Sequence, residues 1–445
     1  MKKSVIILSV LFVFSGLILA FGNALDSEEN WPQWRGPLAN GVSPDGKFPL
    51  EWSETKNIKW KIAIPGKGHS TPIIWGDRIY ITTAVETDKE GKPEVKDEGA
   101  QRGRGMPTTR TTKIHNFIVM ALDRSDGKVL WQTTVKEEWP QEGTHDFGSW
   151  ASNSPFTDGE FIYAYFGSRG MYCLDMKGSV KWERNFGQLN KRMNFGEGSS
   201  PAFYGDKIVI TWDHEGQSFI IALDKKTGKD IWKVDRDEGT SWASPFIVEN
   251  NGKPQVITSA TGLIRSYDLA TGELIWECDG MTANAIPMPV EANGIVYIMT
   301  GFRGNALLAI RLSEAKGNIT GTEAIIWKFD KDTPYTPSPL IFEDYLYFLK
   351  SNNGILSCLD AKTGEAIYSN QRLEGMGNIF TSPVIANNAI IILGQKGMAY
   401  VIKHGSTFEV LAKNQLDDNF NSSPVVVGNQ LFLRGYKNLY CIEGN

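Results

Sequence analysis

Cysteine is scarce in this sequence, with four among 445 residues and no two of them adjacent. Cys173, Cys358 and Cys441 fall at equivalent positions of an internal repeat, in its second, sixth and eighth copies. Such positions lie far beyond the limit of about 7 Å between Cα atoms that a disulfide tolerates. Cys278 falls on an outer strand that we assign to the fifth copy. We predict four buried or half-buried thiols and no disulfide.

Other signatures of common chemistry are also missing. The chain has no His-Glu-x-x-His motif, no glycine-rich phosphate loop and no Gly-x-Ser-x-Gly motif, so the usual zinc-protease, nucleotide-binding and hydrolase sites have no counterpart. Its 46 basic and 51 acidic residues give a net charge of −5 without a basic stripe. This balance excludes nucleic acid as an expected partner. We expect no metal site and assign no catalytic residue.

One long apolar run stands at the N-terminus. It extends from Val5 to Ala20, follows two lysines and precedes the small residues 22–24. This order is typical of a secretory signal peptide, which we place at residues 1–24. We therefore expect a periplasmic or secreted protein. The alternative is an uncleaved N-terminal anchor, which would be its one contact with a membrane.

Two phrases recur along the rest of the chain. The first is Ala-Leu-Asp-x-x-x-Gly-x-x-x-Trp, complete at 121–131 and 222–232 and varied at 173–182, 267–276 and 359–368. The second is Ser-Pro or a close relative. Its prolines are Pro72, Pro155, Pro201, Pro245, Pro289, Pro339, Pro383 and Pro424. A period of about 40–50 residues is typical of a solenoid, a propeller or an array.

Each repeat contains four short runs of β-branched and aromatic residues separated by Gly, Asp and Asn turns, a pattern typical of an antiparallel meander. The glycine of the first phrase can supply a positive φ, and its tryptophan, on the outermost strand, can cover the gap between neighbouring sheets. The eighth repeat ends at Asn445 without a fourth strand, whereas residues 58–64 form a strand with the expected tryptophan, Trp60. We predict an all-β, eight-bladed β-propeller of four-stranded antiparallel blades, spanning 56–445 and closed by this N-terminal strand.

Two segments interrupt the repeat. Residues 25–55 are rich in tryptophan and proline, and we interpret them as a latch packed over the ring; a partner-binding epitope is the alternative. Residues 86–115 are charged and glycine-rich without apolar periodicity. We predict that they form a flexible surface insertion in the first blade.

The phrase Ala-x-Asp-x-x-Thr-Gly-x-x-x-Trp, intact at 222–232, resembles the repeat of the PQQ-like (BamB-like) β-propeller family. The opening Trp-Pro-Gln-Trp-Arg-Gly-Pro at 31–37 is similar to that of an exported single-propeller subgroup. The quinoprotein dehydrogenases of this superfamily have an adjacent pair of cysteines and an acidic calcium site, and neither motif has a counterpart here. The resemblance therefore implies the fold and leaves the activity open.

Three functions follow from these observations. We expect a ligand-binding or protein-binding scaffold of the cell envelope, monomeric and without a cofactor, whose partner is a protein or a small polar ligand. The first alternative is an oxidoreductase that uses pyrroloquinoline quinone (PQQ) with calcium. The second is a BamB-like factor in outer-membrane protein assembly.

A ring of this kind brings the segments that precede each Ser-Pro phrase to one mouth of the central channel. These segments contain the least repetitive residues of the repeat, including aromatic and polar side chains suited to a small polar or planar ligand or to a peptide. The alternative is that they pack on one another and plug the channel. The candidate site residues are His69, Trp150, Asn153, Asn194, Glu197, Trp242, Asn284, Tyr335, Phe380 and Asn421.

Overall fold

The computed structural model describes residues 30–91 and 108–444, so the predicted signal peptide lies outside the described residues. Eight antiparallel sheets follow one another along the chain, and the first strands of neighbouring sheets pack together around a central channel. The eight-bladed propeller is therefore confirmed. Within the described ranges, no helix is long and apolar enough to cross a membrane.

The blades are regular in length and order. Their strands, from the channel outwards, are Ile73–Trp75, Arg78–Glu90, Lys113–Asp123 and Val129–Glu138 in blade 1; Phe156–Thr157, Phe161–Tyr165, Met171–Asp175 and Val180–Arg184 in blade 2; Ala202–Tyr204, Lys207–Trp212, Ser218–Asp224 and Asp230–Arg236 in blade 3; Phe246–Asn250, Lys253–Ser259, Ile264–Asp268 and Leu274–Cys278 in blade 4; Val290–Ala292, Ile295–Thr300, Ala306–Arg311 and Ile325–Phe329 in blade 5; Leu340–Phe342, Tyr345–Leu349, Ile355–Asp360 and Ala366–Arg372 in blade 6; Val384–Ala386, Ala389–Leu393, Met398–Lys403 and Val410–Gln415 in blade 7; and Val425–Val427, Gln430–Arg434, Asn438–Glu443 and Ile58–Ala63 in blade 8.

The ring closes through the N-terminal strand, as predicted. Ile58–Ala63 pairs antiparallel with Asn438–Glu443, and Trp60 lies opposite Cys441. Blade 8 thus contains both ends of the propeller sequence, and the last strand of the chain, Asn438–Glu443, is paired on both sides.

The tryptophan of the first phrase joins neighbouring blades at five of the eight interfaces. Its indole N–H donates to a backbone carbonyl in the outer hairpin of the following blade. The glycine of that hairpin has a positive φ, and a Cβ on it would lie only 2.7–2.9 Å from the ring. Both residues of the phrase therefore serve the same contact, because the indole ring needs a neighbour without a side chain. The tryptophan–glycine pairs are Trp60–Gly127, Trp131–Gly178, Trp182–Gly228, Trp232–Gly272 and Trp327–Gly364.

The Ser-Pro phrase makes a second joint, beside the channel. The backbone N–H of the Ser or Thr in one blade donates to the hydroxyl of its counterpart in the next blade. These links run from Thr71 to Ser154, Ser154 to Ser200, Ser200 to Ser244, Met288 to Ser338, Ser338 to Ser382, Ser382 to Ser423, and Ser423 back to Thr71, at 2.8–3.3 Å. We call these links the hydroxyl circle. It lacks a hydroxyl only between blades 4 and 5, where Met288 occupies the position of the Ser or Thr.

All four cysteines lie in the described part of the chain and are buried free thiols, as expected. One assignment was wrong. Cys278 ends the outer strand of blade 4, not of the fifth. The fifth blade has a longer outer hairpin, and its segment Gly317–Asn318 adds a parallel strand beside that outer strand of blade 4.

Both ends of the predicted insertion at 86–115 belong to strands of blade 1 and not to a surface loop. The second and third strands of blade 1 continue to Glu90 and begin again at Lys113, and these two residues pair. Thr108–Thr109 forms a short ladder with Thr144–His145. Half-buried and exposed residues alternate along 85–88, so one face of the longer strand still packs on the blade there, whereas residues 88–90 are all exposed. The centre of this insertion lies outside the described residues.

Residues 30–47 cross the channel at the end opposite the Ser-Pro mouth. Asn30–Trp31 pairs with the first strand of blade 1, and Val42–Ser43 pairs with that of blade 7. Between them, the buried Arg35 donates to the carbonyl of Pro339 in blade 6 at 2.5 Å. The segment therefore forms a floor, and the channel is a cup with one mouth.

Gly228→Ala tests the tryptophan joint, and Gly205→Ala is its matched control. Both glycines have a positive φ, but a Cβ at 228 would meet the Trp182 ring at 2.7 Å, whereas nothing lies within 4 Å at 205. We expect the control to cost about 1–2 kcal/mol of unfolding free energy from backbone strain. Gly228→Ala should cost about 1–3 kcal/mol more because of the clash. Denaturant unfolding of both variants measures this difference, and equal losses would contradict the joint.

Candidate functional site

A cavity of about 730 Å³ opens at the Ser-Pro mouth of the channel. The hydroxyl circle forms its inner wall. The segments between blades and the turns between second and third strands surround its mouth. We call this cavity the funnel. Its aromatic lining consists of Trp34, Phe147, Phe195, Trp242, Phe302, Tyr335 and Phe380, and its basic lining consists of His69, His145, Arg192 and Arg303.

Six of the ten predicted site residues line the funnel, which the structure brings together from blades far apart in sequence. They are His69, Trp242, Asn284, Tyr335, Phe380 and Asn421. The residues at the mouth do not plug it, because the cavity stays open and the Phe147 ring is 39% exposed. Their role in binding stays a prediction.

The other four predicted residues do not line the funnel. Asn153 is buried and its amide donates to the carbonyl of Ser199 at 2.6 Å, so it links blades 2 and 3. Asn194 ends a 3-10 turn with a left-handed backbone, and its neighbours Met193 and Phe195 reach the cavity instead. Trp150 and Glu197 face a separate small cavity.

This second cavity, of about 20 Å³, lies behind the funnel wall and has room for about one water molecule. It brings together two carboxyl groups, those of Glu142 and Glu197. Burial, reinforced by the charge of Glu197, raises the pKa of Glu142 to about 8. Burial also raises the pKa of Glu197, against two hydrogen bonds from Ser168. Glu142 was missed because nothing in its local sequence marks it as buried.

Hydrogen bonds hold the predicted funnel residues in place. The Trp242 indole donates to the carbonyl of Gly196 at 2.8 Å. The Asn421 amide donates to the carbonyl of Phe147 at 2.6 Å and to the Tyr436 hydroxyl at 2.8 Å. The His69 ring packs edge-on against Tyr436 with centroids 4.7 Å apart. The wall is therefore preorganised in the free protein.

The histidines of the funnel are neutral at pH 7. Burial, with the nearby charges of Arg434 and Lys67, lowers the pKa of His69 to about 3. Burial also lowers the pKa of His145. The charge of the lining then comes from Arg192 and Arg303, and none of the described residues that line the funnel is acidic.

Sequence reasoning missed several lining residues for identifiable reasons. Phe302 and Arg303 lie in a turn between second and third strands, and no pattern in the sequence around this turn indicates that it reaches the mouth of the funnel. Trp34 belongs to the N-terminal segment, whose path across the channel has no local signal. The only usable signal was the unusual density of tryptophan in residues 31–52.

The funnel does not fit a quinone held with calcium. Calcium in proteins takes oxygen ligands, with carboxylates prominent among them, and the described lining offers none. Nor do three or more His, Cys, Asp or Glu side chains come together as a metal-binding group anywhere in the described ranges. The cysteines stand on four different blades, so no adjacent pair faces the cavity.

Comparison with known proteins gives one family. A family model described as outer membrane protein assembly factor BamB matches residues 115–370 and 216–444. The outer membrane protein assembly factor BamB of Yersinia pestis is 22% identical over 334 residues, which cover 71% of this chain and 77% of that protein. The BamB of Legionella pneumophila is 25% identical over 215 residues, covering 46% of this chain and 48% of that protein.

Solved structures share the fold. The BamB of Moraxella catarrhalis superposes with a TM-score of 0.54 at 13% identity, covering 81% of this chain and 98% of that one. The quinohemoprotein alcohol dehydrogenase of Comamonas testosteroni superposes with a TM-score of 0.62 at 10% identity, covering 95% of this chain and 82% of that one. Similarity at this level of identity shows the fold alone.

Glu142→Gln tests the buried carboxyl. The raised folded-state pKa means that the folded protein holds this proton more tightly than the unfolded chain, so stability is lost as pH rises from about 4.5 to about 8. Gln keeps the oxygen that accepts from the Lys191 N–H. We expect the variant to gain on the order of 2–4 kcal/mol relative to the parent between pH 5 and pH 8. Denaturant unfolding at both pH values measures this, with the exposed Glu160→Gln as control; a difference independent of pH would contradict it.

Proposed function

Given that this chain belongs to the PQQ-like propeller family described as outer membrane protein assembly factor BamB, we propose that it is an exported scaffold protein of the cell envelope that binds a ligand in its funnel. The open, aromatic-lined funnel carries this proposal. Its volume, about 730 Å³, lies in the range of small-molecule sites, which are concave, largely apolar and supplied with a few convergent polar groups.

The form of the funnel supports binding rather than packing. Trp34 and the rest of the N-terminal segment close the far end, so a ligand meets a floor and walls instead of a passage. Phe147 and Met193 are 39% and 40% exposed at the mouth, where burial by a ligand would remove apolar surface from water. Export is supported by the predicted signal peptide at 1–24 and by the family, whose described member acts at the outer membrane.

A protein-binding role in outer-membrane assembly is the second candidate, and a distinct surface favours it. The outer strands of blades 1–4 begin with exposed apolar residues just before the buried or half-buried tryptophan. We call this row the rim; it consists of Val129, Leu130, Val180, Ile231 and Leu274, each 39–50% exposed. Recurrent exposed apolar positions on one edge are typical of a protein-binding surface. A protein partner would contact the rim and leave the funnel free.

Phe147→Ser, with Leu274→Ser as matched control, separates these roles. Both side chains are exposed and apolar, and Leu274→Ser should cost at most about 0.5 kcal/mol of stability. Phe147→Ser should cost about 1–2 kcal/mol, because the ring also contacts His145 and Phe380. A thermal-shift screen against sugars, peptides and quinones should find a compound that raises the unfolding midpoint by a few degrees. Phe147→Ser should lower the affinity for that compound about tenfold, and Leu274→Ser should leave the affinity unchanged.

The reverse pattern would favour the second candidate. If no compound shifts the midpoint, and Leu274→Ser instead abolishes binding to purified barrel-assembly proteins, the funnel is not the functional surface. If both variants behave as the parent in both assays, neither role survives.

A further inference from the structure

Two arginines of the funnel have no acidic or hydrogen-bonding partner for their guanidinium groups in the part of the chain that the structure describes. The guanidinium groups of Arg192 and Arg303 form no ion pair and no hydrogen bond there, and both residues are exposed. Other arginines of this region are fully used. Arg236 binds Asp213 at 2.8 Å, and Arg265 binds Glu238 at 2.9 Å. The two funnel arginines are thus available to a ligand.

The backbone is strained at one of these arginines and next to the other. Arg303 has a φ of 54°, and Met193, the neighbour of Arg192, has a φ of 61°. Long side chains seldom adopt this left-handed conformation, which costs on the order of 1–2 kcal/mol. Met193 and Arg303 both line the mouth of the funnel, where a glycine would adopt this backbone conformation with less strain. Such strain is often kept where a side chain must be held at a functional site.

An aromatic shelf lies next to one arginine. The rings of Phe302 and Tyr335 stack with centroids 4.8 Å apart and planes 26° apart. The Arg303 guanidinium lies over the Phe302 ring, 5.2 Å from its centroid. This contact orients the guanidinium beside the shelf, so a flat molecule stacked on the rings would bring its edge to a cation.

The surroundings do not neutralise this charge. The described lining contains no carboxylate, and His69 and His145 are neutral at pH 7. Asp146, next to His145, accepts a hydrogen bond from Thr109 and lies outside the lining. A cleft with charge of one sign and apolar walls concentrates ions of the opposite sign. The residues that line the funnel therefore carry a net positive charge, on a protein whose net charge is −5.

We propose that the funnel selects an anionic ligand with a planar aromatic body, whose acidic group binds Arg192 and Arg303 and whose rings stack at the Phe302–Tyr335 shelf. This rests on the proposed ligand-binding function and adds the chemical class. A carboxylate, a sulfonate or a phosphate would each satisfy the guanidinium groups. A cation would find no counter-charge, and a neutral ligand would leave both arginines unpaired.

A matched pair of dyes tests the charge. 8-Anilinonaphthalene-1-sulfonate and N-phenyl-1-naphthylamine share the aromatic body, and only the first is anionic. Fluorescence titration should show the sulfonate bound at least about tenfold more tightly. Its affinity should fall as salt is raised, while that of the neutral dye stays constant. Phe147→Ser should weaken both dyes, which locates them in the funnel.

Substitutions separate the arginines from the rings. The double variant Arg192→Gln with Arg303→Gln should lose about tenfold in sulfonate affinity and keep its affinity for the neutral dye. Arg372→Gln, on the exposed outer strand of blade 6, should change neither. Displacement of the dye by 2-naphthoate or by 2-naphthyl phosphate then distinguishes a carboxylate from a phosphate ligand.

Arg303→Gly addresses the strain directly. It removes the charge and relieves the left-handed backbone, so we expect a higher unfolding midpoint together with weaker sulfonate binding. If Arg303 instead stabilises the fold, Arg303→Gly would lower the unfolding midpoint. Equal affinity for the two dyes, or sulfonate binding unaffected by the double variant, overturns the charge proposal alone. Failure of both dyes to bind in the funnel counts against the ligand-binding function as well.

Discussion

The joint between neighbouring blades is the contact on which the whole molecule depends. A propeller blade cannot bury both its faces alone, so each must fix its position against two neighbours. Here hydrogen bonds fix neighbouring blades at two distances from the channel axis. Ser and Thr hydroxyls accept them beside the channel, and indole N–H groups donate them at the outer strands. Apolar packing supplies most of the stability between these joints, and the hydrogen bonds set the angle at which each blade stands.

The interface between blades 4 and 5 shows what the joints do by lacking both of them. Met288 offers no hydroxyl, and the Trp276 indole has no acceptor among the described residues, since the outer hairpin of blade 5 is longer. The N–H groups of residues 242 and 243 donate to the carbonyl of Ala285, as those of residues 69 and 70 donate to the carbonyl of Ala151 between blades 1 and 2. The added strand Gly317–Asn318, which pairs beside Trp276, distinguishes this interface. Arg303 and Phe302 lie on blade 5, and Tyr335 lies in the segment that leads from blade 5 to blade 6. The blade that makes the altered interface therefore also carries part of the aromatic shelf.

Sequence predicts the joints well and the funnel only in part. The Trp and Gly of the first phrase, and the Ser of the second, are repeated because the same contact is made at successive blades, so period alone reveals them. Residues of the funnel are not repeated, and their meeting depends on ring geometry. The segments before each Ser-Pro phrase could be placed at the mouth, which found Trp242 and Tyr335. The turn that carries Arg303 could not be placed, because its position at the mouth depends on the lengths of the two strands that it joins. Glu142 needed knowledge of burial, which a single acidic residue in a loop does not reveal.

The segment that forms the floor of the funnel is followed in the chain by the strand that closes the ring. This order links the candidate site to the fold. Residues 30–47 bind the inner strands of blades 1, 6, 7 and 8, and the same chain then supplies the closing strand Ile58–Ala63. Release of the closing strand would remove one anchor of the segment that holds Trp34 under the funnel and leave that segment with its contacts to the inner strands. A ligand that stacks against the floor would oppose this release, because it binds only the closed form. The funnel and the closing joint are therefore expected to stabilise each other, although they lie at different radii of the propeller.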